Sequence, residues 1–381
     1  MQVYLDNSAT TQPSEAVIEC VEKSMRSMWH NPSALYRPAM EAQKQVEAVR
    51  SLCLNAADAR KHDLVFTAGG TEADNLAILG YLKTQRCHGR VLVSSVEHPA
   101  VSACRNQVEK MGFQMQEIPV TSSGVIDLDA YRSMLDDSVS LIVIMQVNNE
   151  TGAIQPLEDM VHLRDALCPD AAIHVDGVQG FLRVPIHMNT LNIQSYAFSG
   201  HKIHALKGIG GLILQKQHRI MPVVYGGGQE RGLRSGTENT FGIFSLGAAV
   251  EHFPPDGPEH MLALKQLLWN LIHDAIPAAR INGPAPEEGS PHILNISLEP
   301  VRSQTMLFAL EGNGIYVSAG SACASHKQKI SPVLKSMGVS QSRADCALRF
   351  SLNPFLTEED IRYTAECVYK QYSLLSKYIR K

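Results

Sequence analysis

Lys202, Asp176 and Cys323 are the residues of this chain whose type and setting could carry covalent chemistry. Asp176 ends the apolar run Ile173-His174-Val175, and Lys202 follows a later run, Tyr196-Ala197-Phe198. A carboxylate at a strand end commonly caps a turn. It can also pair with the protonated pyridine nitrogen of pyridoxal 5'-phosphate (PLP) and keep that ring an electron sink. A lysine after a strand is commonly solvated. Once partly desolvated, its amine gives up its proton more readily and can form a Schiff base. Lys207 is the neighbouring rival, farther from the strand end. Cys323 lies in Ser318-Ala-Gly-Ser-Ala-Cys323-Ala-Ser, among residues too small to build a core. His326, Lys327 and Lys329 beside it favour the thiolate, the nucleophilic form of a cysteine. A chance cysteine in a flexible turn is the alternative.

Other polar clusters recur in the same position relative to apolar runs. Thr67-Ala-Gly-Gly70-Thr71-Glu72 follows Leu64-Val65-Phe66, and Glu97-His98-Pro99 follows Arg90-Val91-Leu92-Val93. Asn148-Asn149-Glu150-Thr151-Gly152 follows Leu141 to Met145, Asp176-Gly-Val-Gln179 follows Ala172 to Val175, and Ser199-Gly-His201-Lys202 follows the fifth run. Open α/β sheets bind ligands beyond the carboxyl ends of their strands, so five such clusters on one edge would form one site. The Gly69-Gly70-Thr71 turn leads into a helical stretch whose free N–H groups and dipole favour a phosphate; an N-cap threonine on an ordinary helix is the plainer reading. It is neither a Walker loop nor a dinucleotide G-x-G-x-x-G. His98 could be a satisfied core histidine, or its flat ring could stack on a cofactor.

The elements that must position these residues follow from the alternation of short apolar runs with longer amphipathic stretches. Strands are expected at Leu64–Phe66, Arg90–Val93, Leu141–Met145, Ala172–Val175, Tyr196–Phe198 and Gly210–Leu214, with a helix over Glu72–Leu82. Such a pattern predicts a mostly parallel sheet covered on both faces. The segment Phe253-Pro-Pro-Asp-Gly-Pro258 reads as a boundary. Beyond it a helix is expected over Met261–Ile276 and strands near Ile293–Leu298 and Leu348–Leu352, which suits a smaller α+β unit.

A chain of 381 residues suits a large domain plus a smaller one. Its net charge of -4, with both signs mixed, offers no basic stripe for direct nucleic-acid contact. No apolar run approaches the roughly 20 residues of a membrane span, and Met1 to Asp6 lacks the regions of a signal peptide, so a cytoplasmic location is the default expectation. None of the eight cysteines forms a C-x-x-C pair, and no metal site is signalled.

Taken together, the chain resembles the cysteine desulfurases of the NifS/IscS type, within the class V aminotransferase-like, fold-type I PLP enzymes. The resemblance runs nearly end to end. It is carried by Tyr4-Leu-Asp-Asn-Ser-Ala-Thr-Thr11, Asn31-Pro-Ser33, Gly70-Thr-Glu72, Glu97-His98, Asn148 to Gly152, Asp176 to Gln179 and Ser199 to Lys202. Gly226 to Asn239, Ser321-Ala-Cys323 and Arg349-Phe-Ser-Leu352 complete it. The Ser-Ala-Cys loop resembles the IscS-like branch. Tyr36 stands where much of the family has histidine, Pro38-Ala39 replaces the usual aromatic-Gly, and the segment after Cys323 is more basic than in many relatives.

The resemblance implies an α/β PLP-dependent transferase fold. A large PLP-binding domain would span residues 14–255, and residues 1–13 and 256–381 would form a small domain carrying the cysteine loop. Lys202 is implied as the cofactor-bearing base, Asp176 as the partner of the pyridine nitrogen, Gln179 of the ring hydroxyl, and His98 as the stacking ring. Gly70, Thr71, Ser199 and His201 would hold the phosphate with Thr237 of a neighbouring subunit, which makes the protein a homodimer. Asn149 would line the cofactor and substrate site, and Arg349 with Asn31 would bind the carboxylate of L-cysteine. Cys323 would take the substrate sulfur as a persulfide and pass it to an acceptor, an iron–sulfur scaffold or a tRNA-thiolation enzyme. A selenocysteine lyase, an aminotransferase or a non-catalytic PLP-fold scaffold would share the same framework.

Overall fold

The computed structural model describes residues 1–86, 88–319 and 331–378. Cys323 and the basic residues that follow it lie outside the described residues. Thirteen strands are described. The first eight are β1 (Val3–Tyr4), β2 (His62–Thr67), β3 (Arg90–Ser94), β4 (Gln114–Ile118), β5 (Val139–Met145), β6 (Ala172–Asp176), β7 (Ser195–Ser199) and β8 (Gly210–Gln215). The others are β9 (Arg280–Ile281), β10 (Ile293–Ser297), β11 (Ile315–Tyr316), β12 (Ser318–Ala319) and β13 (Ala347–Ser351).

Seven strands form one sheet in the order β2-β8-β7-β6-β5-β3-β4. The pairs β7–β6, β6–β5, β5–β3 and β3–β4 are parallel, and β8 alone runs against its neighbours β2 and β7. Hence β2, β3, β5, β6 and β7 all point the same way, and their last residues, Thr67, Ser94, Met145, Asp176 and Ser199, share one edge. The mostly parallel sheet expected from the alternation of elements is the one found.

Both faces of this sheet are buried, which is why its strands read as apolar runs and not as alternating patterns. Leu64, Phe66, Leu92, Ile142, Ile144 and Ile213 join one apolar core; the residues between them, Val65, Val91, Val93, Leu141, Val143 and Leu212, join a second on the opposite face. Helices α1 (Glu15–Ser27) and α2 (Arg37–Ala56) supply Val17, Val46, Val49 and Cys53 to the first core. Helix α3 (Gly70–Leu82) supplies Leu76, Ile78 and Leu82 to the second.

A third core gathers Val3 and Leu5 from the N-terminus with Leu264 and Leu268 of the helix Gly257–Ala275, Ile296 of β10 and Leu348 and Phe350 of β13. The strands β12-β13-β10-β9 form its sheet, and β1 pairs with β11. The helix expected from Met261 starts earlier, at Gly257, because Pro258 occupies its first turn, where the missing N–H costs no hydrogen bond. No helix among the described residues is long and apolar enough to cross a membrane.

Candidate active site

The five polar clusters meet around a cavity of about 990 Å³ at the carboxyl edge of the large sheet. Gly70, Thr71, His98, Asn149, Asp176, Gln179, Ser199, His201, Lys202 and Arg349 all line it. A second opening, bounded by Gly69, Gly70, Thr71, Ser199, His201 and Lys207, lies beside the start of α3. Thr71 is not the N-cap: Gly69 takes that place, and Thr71 sits in the first turn with its side chain free for other work. The turn is narrow. A Cβ at Gly70 would stand 2.4 Å from Val178 Cγ2, and one at Gly210 would stand 2.7 Å from the Cα of Gly69. Glycine therefore lets α3 start close against β7 and β8, and this first turn, where a helix has N–H groups to spare, borders the opening.

Asp176, the last residue of β6, is buried. Its Oδ1 accepts the Val178 N–H at 2.9 Å, so the carboxylate does cap its turn while still facing the cavity. Burial pushes its pKa up, opposed by the Val178 N–H and the charges of His98 and Lys202. The Lys202 amine donates to the carbonyls of Ser8 at 2.6 Å and Ala9 at 2.8 Å, held between backbone acceptors with no carboxylate among the described residues as its hydrogen-bond partner. Burial first, then the cations Arg349 and Arg183, lower its pKa to about 7, so at neutral pH much of it is the free base. Lys207 is exposed.

His98 is half-buried, and its Nδ1 accepts the Ala100 N–H at 3.1 Å, the cap of a short helical turn. Burial lowers its pKa and favours the neutral ring. His201 is likewise held neutral, its pKa pushed down to about 4 by burial and by the nearby Lys202 and Lys207. Gln179 donates from Nε2 to the Ser8 carbonyl at 3.0 Å, so Ser8 joins it to Lys202. Asn148 spends its side chain on the turn, accepting from Glu150 and Thr151, and this leaves Asn149 to face the cavity. Arg349, 3% exposed, donates to the Asn149 carbonyl at 2.9 Å.

Two residues named above lie outside the cavity: Asn31, and Thr237, which is expected to serve the site of a neighbouring subunit. Asn31 is exposed and caps its own turn by accepting the Ser33 N–H at 2.9 Å; Thr237 is exposed as well. Neither lines the cavity. Several residues that sequence reasoning left without a role do belong to the site. Glu97 is buried, accepts from Ser94 Oγ at 2.5 Å and from the Met145 N–H at 2.8 Å, and its Oε2 has no partner among the described residues. Asp74, on α3, hydrogen-bonds the buried His174 at 3.1 Å and also lines the cavity. The Ser8-Ala9 main chain supplies the acceptors for Lys202, which side-chain chemistry could not announce.

A parallel sheet with one reversed strand, and a lysine and a buried acid at its carboxyl edge, place the chain in a class: residues 3–363 match the model of class V aminotransferases, and the chain belongs to that family. Its relatives narrow the class. The cysteine desulfurase IscS of Clostridium botulinum (strain Hall) is 36% identical over 376 residues, which covers 97% of this chain and 94% of that protein. The cysteine desulfurase NifS of Azotobacter vinelandii is 36% identical over 370 residues, 94% of this chain and 90% of that one. A solved structure described as a NifS-like protein superposes with a TM-score of 0.91 at 31% identity, covering 98% of this chain and 100% of that chain. The family expected from the motifs is thus the family found.

That family implies PLP, and the donor set here suits it. A buried acid lies at one wall, a partly deprotonated lysine at another, and a glycine-lined helix start with Thr71, Ser199 and His201 opens to the side. Pyridine nitrogen, aldehyde and phosphate call for those three kinds of partner.

Proposed function

We propose that this chain is a PLP-dependent cysteine desulfurase that removes the sulfur of L-cysteine, leaving L-alanine and a persulfide on Cys323. The observation that carries the reading is the shared cavity of Lys202 and Asp176 beside the start of α3. Lys202 would hold PLP covalently, Asp176 would pair with its ring nitrogen, and Gln179 would bond its ring hydroxyl. His98 would lie on the ring. Gly70, Thr71, Ser199 and His201 would take the phosphate, with Thr237 from the second subunit of a homodimer. When bound, the cofactor supplies a sink for the electrons left at the substrate Cα.

The chain's own residues supply the rest. Arg349 binds the substrate carboxylate, with Asn149 beside it on the cavity wall. Lys202, free of its proton near neutral pH, takes the Cα proton and later returns it. The Cys323 thiolate attacks the substrate sulfur. An S–S bond forms, the C–S bond breaks, its electron pair stays on Cβ, and protonation there and at Cα gives alanine. Support for this role comes from the flanks of the Cys323 segment: Ser318 of β12 pairs with Arg349, and Pro332 and Val333 line the cavity. The persulfide sulfur then passes to an acceptor protein for iron–sulfur cluster assembly or tRNA thiolation in the cytoplasm.

Purified protein loaded with PLP should be yellow and should release one alanine for each sulfur taken from cysteine. Borohydride reduction should fix the cofactor on Lys202, and Lys207→Ala should keep it. Trapping at Lys207, or the absence of alanine, would refute the reading.

A further inference from the structure

Asp176, Gln179 and Arg183 follow one another on the turns that leave β6, where the N–H groups of Gly180 and Arg183 donate to the carbonyls of Gly177 and Gly180. These turns bring Gln179 and Arg183 side by side, so that their side chains meet. Arg183 is only 2% exposed. Its Nη2 donates to the main-chain carbonyl of Lys202, its Nη1 donates to Gln179 Oε1 at 3.4 Å, and its Nε has no partner among the described residues. No carboxylate among the described residues offsets its charge, and burial alone pulls its pKa down to about 10. A buried, uncompensated guanidinium is expensive, so its place beneath the cofactor lysine asks for a reason.

We propose that Arg183 is a positioning residue for Lys202: it grips the Lys202 carbonyl and the Gln179 amide oxygen from below, and its charge disfavours a second positive charge on the Lys202 amine. This rests on the reading of Lys202 as the cofactor lysine.

The geometry does two things. Gln179 Oε1 receives Arg183 Nη1 and faces His292 Nε2 at 3.2 Å, so the amide nitrogen is the end that reaches Ser8 and the cavity. Gln179 is thereby set as a donor. The second effect is electrostatic. The charged and titratable groups that face Lys202 are Arg349 on β13, Asp6 behind β1, Asp176 on β6, His98 after β3, and His201 and His292. Burial holds the histidines near neutrality, and Arg349 is paired with Asp6. Arg183 is the cation of the set that no acid compensates, and like charge at short range favours the free amine.

The test uses full-length protein stripped of cofactor with hydroxylamine. The rate of Lys202 acylation is followed by mass spectrometry from pH 5.5 to 10, and PLP is trapped with borohydride on reloaded samples. Wild type and Arg183→Lys, which keeps the charge, should share a midpoint near 7. Arg183→Gln should label about fivefold more slowly at pH 7, the factor that a midpoint raised by about one unit produces. Arg183→Met, of similar volume and uncharged, replaces Arg183→Gln if that variant does not fold. A folded uncharged variant with the wild-type midpoint overturns the inference, and so does an Arg183→Lys midpoint displaced as far as that of Arg183→Gln. Trapping at Lys202 with an unmoved midpoint sinks only the role of Arg183. Trapping at Lys207 sinks the functional reading whatever the midpoint does.

Discussion

Arg349 is tethered to Asp6: its Nη2 donates to Asp6 Oδ1 at 2.7 Å, while its Nε has no partner among the described residues. The pair joins β13 to the chain just after β1, and a second bond from Nη1 to the Asn149 carbonyl ties both to the loop after β5. The guanidinium is therefore fixed in direction before any ligand arrives, with a donor to spare. A fixed, planar fork suits a carboxylate in a way that a lysine ammonium does not. Arg349→Lys should retain charge and fold but raise KM for L-cysteine by about 10- to 150-fold, the range that corresponds to losing about 1.5–3 kcal/mol of charge-assisted bonding. Turnover at saturation should fall much less. An unchanged KM would remove Arg349 from substrate binding.

Asp176 combines two duties that substitution can separate. Its Oδ1 caps the turn through the Val178 N–H, and its charge faces the cavity. Asp176→Asn keeps the shape and the capping oxygen but removes the charge that would hold a pyridine nitrogen protonated. The variant should load PLP through Lys202 and keep its near-ultraviolet circular dichroism, while kcat falls by about tenfold or more, as expected from losing a contact of about 1.5–3 kcal/mol. Near-normal kcat in Asp176→Asn would show that the carboxylate only caps its turn.

Glu97 should make stability fall as pH rises. Burial, the largest cause, pushes its carboxyl up to about 8, with Asp176 adding to the rise and the bonds from Ser94 and Met145 opposing it. In the unfolded chain the group ionises near its ordinary value of about 4.3. Between those limits the unfolded state sheds a proton that the folded state keeps, so stability is fully present below about 4.3 and is lost as pH climbs through the folded value. The slope approaches about 1.4 kcal/mol per pH unit for one proton. Glu97→Gln imitates the protonated form and should remove that slope. Thermal midpoints of cofactor-free wild type should therefore drop relative to Glu97→Gln from pH 5 to pH 8; parallel profiles would mean that Glu97 is ionised in the fold.

What could be read from the sequence was set by contrast. Lys202 and Asp176 each end an apolar run, and five such runs on a mostly parallel sheet deliver their polar ends to one edge. By comparison β4, Gln-Met-Gln-Glu-Ile, one of the sheet's two edge strands, offers only two apolar residues and is not among the expected strands. Arg183 looks like a solvated charge in the sequence, and Glu97 like one more polar residue of its cluster; only packing reveals that both are buried. Asp6 and Arg349 stand at opposite ends of the chain, and no local pattern announces that they meet. Thr71 looked like a cap because glycine, the true N-cap here, carries no side chain to advertise the role.

Cys323 lies outside the described residues, so its role is tested by dividing the reaction at the point where a second nucleophile enters. Binding of cysteine and removal of its Cα proton need only Arg349, Lys202 and the electron sink. Breaking the C–S bond needs attack on sulfur. Serine has nearly the size of cysteine but is a far weaker nucleophile at neutral pH. Cys323→Ser should thus bind PLP, show the visible spectral change that cysteine induces, and fail to release alanine. The six cysteines described in the structure are placed differently: Cys53, Cys104, Cys168, Cys346 and Cys367 are buried and Cys20 is partly so. Burial pushes the thiols of Cys53, Cys104 and Cys346 up to about 12, about 11 and about 11, away from the thiolate. Serine at any of these should leave turnover largely intact in whatever protein folds. Mass spectrometry of wild type after brief exposure to cysteine should find one added sulfur on the Cys323 peptide. Alanine release by Cys323→Ser at the wild-type rate would end the persulfide mechanism and move a lyase or aminotransferase ahead of it.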